Sequence, residues 1–99
     1  MSERIDNLRE AIETMHKCKA RHVGSKRVIE MFRGKIAWDG VVETFDLEGY
    51  PQAKRCYAWS FPENGEPKYT MVLELPPVDS AQSAVKVAIA SKGRAEVGK

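Results

Sequence analysis

The chain has 99 residues, of which 42% are hydrophobic and 30% charged, and a formal net charge of +2. That length fits one domain and excludes two. The apolar fraction excludes a chain too polar to fold, and the apolar runs of a few residues fall far short of the ~20 needed to span a bilayer.

The first residues, Met1-Ser2-Glu3-Arg4-Ile5-Asp6, interrupt their apolar positions with charge. A secretory leader needs a continuous apolar region there, so the expected location is cytoplasmic and Cys18 and Cys56 are read as thiols. Ile5, Leu8, Ile12 and Met15 recur at helical spacing and predict an amphipathic N-terminal helix. Ser2 is read as its N-cap, and Val23-Gly24-Ser25 as its stop. Acids crowd its start (Glu3, Asp6, Glu10, Glu13), whereas Thr14 to Ile29 holds none. That second stretch carries Lys17, Lys19, Arg21, Lys26 and Arg27, with His16 and His22 among them.

From Lys26 to Leu75 the pattern is β. Val28 to Phe32, Lys35 to Trp38, Val41 to Leu47, Ala53 to Phe61 and Lys68 to Leu75 read as strand segments. Arg33-Gly34, Asp39-Gly40 and Asn64-Gly65 are read as turns. Tyr57, Trp59 and Phe61 alternate along one strand and supply core volume. Pro76-Pro77 ends the sheet. Asp79, with Gln82 three residues on, predicts a capping box. The helix it opens buries Ala81, Ala84, Val85, Ala88 and Ile89 and runs to about Lys92, with Gly93 as C-cap. Residues 1–93 are therefore read as one domain and 94–99 as a flexible tail. The expected fold class is α+β: an antiparallel sheet of three or four strands with an N-terminal and a C-terminal helix, α-β-β-β-(β)-α. Both helices are expected on one sheet face, as a two-layer sandwich.

The segment Arg55-Cys56-Tyr57-Ala58-Trp59 is similar to the basic-aromatic strand of the RNA recognition motif. The helix-strands-helix order over residues 3–92 resembles the double-stranded-RNA-binding domain, a likeness of topology alone that carries over no RNA-contacting residues. Where that family carries a lysine-rich turn, this chain reads Pro77-Val78-Asp79-Ser80-Ala81-Gln82. The run Trp38-Asp39-Gly40-Val41-Val42, continued by Phe45-Asp46-Leu47-Glu48-Gly49-Tyr50-Pro51, resembles small bacterial α+β proteins and implies no particular chemistry.

No GxSxG, phosphate loop or dinucleotide fingerprint occurs, so no cofactor is expected and binding is favoured over catalysis. Asp39, Glu43, Asp46 and Glu48 are read as solvating residues. Three functions are compatible with these residues. The first is a non-catalytic binding module that meets nucleic acid or another anionic partner with Lys17, Lys19, Arg21, Lys26 and Arg27, adjoined by Lys54 and Arg55. The second is a homodimeric interaction domain joined through an uncovered sheet face, where Val42, Cys56 and Ala58 are available, or through an edge strand. The third is a metal-binding sensor using His16, Cys18 and His22, the last two sharing a face at i,i+4 if the helix reaches them.

Overall fold

The computed structural model describes residues 3–97; Ser2 and the end of the expected tail, residues 98–99, lie outside them. The element order is α1 (Glu3–His16), β1 (Lys19–Phe32), β2 (Lys35–Glu48), β3 (Arg55–Glu63), β4 (Glu66–Leu73) and α2 (Ala81–Val97). The four strands form one antiparallel meander in chain order. The α+β class and the helix-sheet-helix order are those the sequence predicts.

The helices divide between the two faces of the sheet. Along β3, Cys56 and Ala58 pack with Leu8 and Ile12 of α1, whereas Tyr57 and Trp59 pack with Ala81, Ala84 and Val85 of α2. Successive strand residues point to opposite faces, so the sheet is sandwiched between the helices, and the expected layering with both helices on one side is corrected. The aromatic row of Tyr57, Trp59 and Phe61 lies beneath α2 alone. The reverse face is roofed by α1, over Phe45, Leu47, Cys56 and Ala58. Val42, Cys56 and Ala58 are each 0% exposed. They are buried within the single chain and cannot serve the sheet-face dimer considered above.

Three local elements also differ from expectation. First, α1 stops at His16 and not at Val23. Lys17 takes a left-handed conformation (φ 52°), and the chain turns into a 14-residue strand. The Glu13 carboxylate accepts the Ala20 N–H at 2.9 Å, tying the helix end to the strand start. From there Lys19 and Arg21 are exposed while Ala20 is buried, a two-residue alternation that pairing with β2 rewards more than continued helix would.

Second, Asp39-Gly40 lies inside β2 instead of forming a turn, opposite Ile29 and Val28. The Asp39 carboxylate receives two hydrogen bonds from the Arg27 guanidinium, at 3.1 and 3.0 Å. The Trp38 ring lies over Gly40, where a Cβ would come within 2.8 Å of it. The turns expected at Arg33-Gly34 and Asn64-Gly65 do form, with positive φ at both residues of each pair, the signature of a two-residue hairpin turn.

Third, α2 is capped by Ser80 and Ser83 in place of Asp79 and Gln82. The Ser80 hydroxyl accepts the Ser83 N–H at 3.2 Å, and the Ser83 hydroxyl accepts the Ser80 N–H at 2.9 Å, the reciprocal pattern of a capping box. Gln82 reaches across to β1, donating to the Ile29 carbonyl at 3.2 Å and to the Glu30 carboxylate. The helix continues through Gly93 to Val97, past the expected C-cap.

Candidate anion-binding surface

A meander brings the start of β1, the end of β2 and the start of β3 to one end of the sheet. The register sets Lys19 opposite Glu48 and Arg21 opposite Asp46 on one side, and Asp46 opposite Arg55 on the other. Asp46 is the hub of this row. Its Oδ2 accepts from Arg21 Nη2 at 3.1 Å and its Oδ1 from Arg55 Nε at 3.0 Å. Two cations 34 positions apart in the chain, Arg21 and Arg55, thus share one counter-ion. The hydrogen bond to Asp46 raises the Arg55 pKa and keeps its charge fixed.

Beside this row β1 carries a bulge between His22 and Gly24. The chain there borders a shallow depression of about 300 Å³, lined by Val23, Gly24, Ser25, Lys26, Thr44 and Arg55. A Cβ on Gly24 would meet nothing within 4 Å, so the glycine leaves this floor open. Two cations and a threonine hydroxyl on the rim of a concave surface form a setting for an oxyanion.

The seven basic residues singled out above are distributed unequally. Lys19, Arg21, Lys26 and Arg55 share the α2-side face of the sheet. Lys17, in the α1–β1 turn, and Lys54, before β3, are exposed at the same end. Arg27 lies on the opposite face and is committed to Asp39. That bond lowers the Asp39 pKa and raises that of Arg27.

His16, Cys18 and His22 are not gathered. The His16 ring meets Tyr50 edge-on at 5.1 Å, Cys18 packs at the α1-side core, and His22 Nε2 bonds to Glu43 Oε1 at 2.8 Å. Since α1 ends at His16, Cys18 and His22 lose the helical spacing that would align them. Among the described residues no group of three or more His, Cys, Asp or Glu is placed to hold a metal ion. Both cysteines are free thiols.

Glu43 departs most from its reading as a solvating residue. It is 0% exposed and accepts hydrogen bonds from Arg4 Nη2 at 2.7 Å, from His22 and from Ser25 Oγ. Burial pushes its carboxyl pKa up, but the bonds from Ser25, His22 and Arg4 outweigh that and hold it below the usual glutamate range. The same His22 nitrogen faces both Ser25, at 3.5 Å, and Glu43. A nucleophile–base relay needs the imidazole to bridge through its two nitrogens, so this cluster ties α1 to the sheet and does not activate Ser25. The sequence signal for it was the phase of Glu43 with Phe45 and Leu47.

Tyr57 and Trp59, the aromatic pair of the RNA-recognition-like strand, are each 4% exposed. Tyr57 donates its hydroxyl hydrogen to Glu74, and burial followed by that acceptor pushes its pKa up to about 12. No base can stack on either ring. The chain matches no known family, no curated protein and no solved structure.

Proposed function

We propose that the protein is a non-catalytic module that binds the phosphate backbone of a nucleic acid at the Lys19–Arg21–Lys26–Arg55 face. The carrying observation is the strand register, which assembles cations from two distant segments around Asp46 and beside the open depression at Gly24. Burial of Tyr57 and Trp59 removes the groups that would read bases, so recognition rests on the backbone and is indifferent to sequence. The acids of α1 lie across the sheet, while on the binding face Asp46 and Glu48 offset part of the positive charge.

Titration of a labelled oligonucleotide at increasing salt tests this reading. Arg21 and Arg55 share the Asp46 carboxylate, so the four cations act as about three net charges and give log K a slope of about −2 to −3 against log salt. The double variant K19E/K26E, whose residues are both exposed, weakens binding by about tenfold or more at low salt. A flat salt response, or an affinity that K19E/K26E leaves unchanged, removes the proposal. A strong preference among sequences of equal length removes the backbone-only mode.

A further inference from the structure

The β1–β2 hairpin outruns the rest of the sheet. Both strands have 14 residues, yet β2 pairs with β3 only from Glu43 to Asp46. From Lys35 to Val42 the outer edge of β2 therefore has no strand partner among the described residues. This free ribbon also holds five large apolar side chains in water: Ile29 (43% exposed), Met31 (53%), Phe32 (65%), Ile36 (61%) and Val41 (39%). By alternation and register Ile29, Met31, Ile36 and Val41 share the α1-side face of the ribbon, and Phe32 lies on the other. Four exposed apolar side chains on one face beside an unpaired strand edge mark an interaction surface.

The charges around it identify the partner. The tip carries Arg33 and Lys35, with no acid between Met31 and Trp38, and the Arg33 guanidinium lies 5.1 Å above the Phe32 ring. The meander places the β3–β4 turn at the same end of the sheet. There Glu63 and Glu66 flank Asn64-Gly65, all four exposed, with Lys68 3.9 Å from Glu66. An anionic lipid surface or nucleic acid approaching the basic tip would meet these carboxylates as well. A second copy turned by a two-fold axis meets complementary charge at both places, because this chain contains both halves of the pattern.

We propose that the protein forms a two-fold homodimer through the β1–β2 hairpins. The exposed apolar side chains pack on one another, and Arg33 and Lys35 of each copy face Glu63 and Glu66 of the other.

Sedimentation velocity over a concentration series tests this. I36E, at an exposed position of that face, should leave a monomer with an unchanged far-UV spectrum. R33E/K35E and E63K/E66K should each be monomeric alone, since each then opposes like charges. An equimolar mixture of the two should recover a heterodimer, because the reversed signs are again complementary. These four positions are exposed, and unchanged melting of each variant establishes that folding is not at issue. A wild-type protein monomeric at about 500 µM, a charge variant that dimerises as wild type does, or a mixture that stays monomeric overturns the proposal. So does a wild-type monomer whose I36E variant loses oligonucleotide binding, which would assign the hairpin to the nucleic acid.

Discussion

At Glu43 a carboxylate shut away from water is kept ionised by three donors, two from β1 and one from the first turn of α1. Its pKa lies below the ordinary glutamate range, which the unfolded chain retains. The stabilisation it confers is therefore complete above that range and is lost as pH falls through its folded value. E43Q should cost roughly 2–3 kcal/mol at neutral pH and should flatten the acid limb of the stability curve. Urea unfolding at pH 7 and at pH 3 checks both; an E43Q protein as stable as wild type at pH 7 would contradict them. The thiols give a second residue-scale expectation. Burial pushes Cys56 up to about 12, and burial followed by Glu13 also raises Cys18. At pH 8 a thiol reagent should modify Cys18 slowly and Cys56 only with unfolding. Rapid reaction of both in the native protein would show that the α1-side core is open.

Among the elements, α2 was the easiest to read, because Ala81, Ala84 and Val85 repeat at helical spacing and are buried, although Ala88, expected on the same face, is half-buried and Ile89 is exposed. Its cap was misread for a physical reason. Asp79 and Ser80 both suit an N-cap, and the winner depends on where Gln82 goes, which is settled by β1 across the sheet. S80A should lower stability by about 1 kcal/mol, while D79A should cost less; thermal melts of the two variants distinguish the caps. The first half of β1 was illegible for a different reason. Between Lys17 and Arg27 only Ala20, Cys18 and Val23 are apolar, too few to show a period, and the strand is specified by its partner β2. Asp39-Gly40 misled likewise, since a favourable turn dipeptide was outweighed by the Arg27 fork and the Trp38 ring.

Taken as a whole, the molecule is one sheet with a helix on each side. The cue for that layering was present in β3, where four consecutive residues, Cys56 to Trp59, are apolar on alternating sides. A strand with one wet face alternates apolar with polar, whereas one covered on both faces does not. The candidate anion surface was legible as a list of cations but not as a site, because Asp46, Thr44 and Gly24 acquire their roles from register alone. The uninterrupted burial of Cys56 to Trp59 also governs how the protein can drift in sequence. Most sheet strands accept polar replacements at every other position. Here no such alternating latitude exists: a map of tolerated substitutions would show an unbroken block across these four positions, flanked by permissive ends.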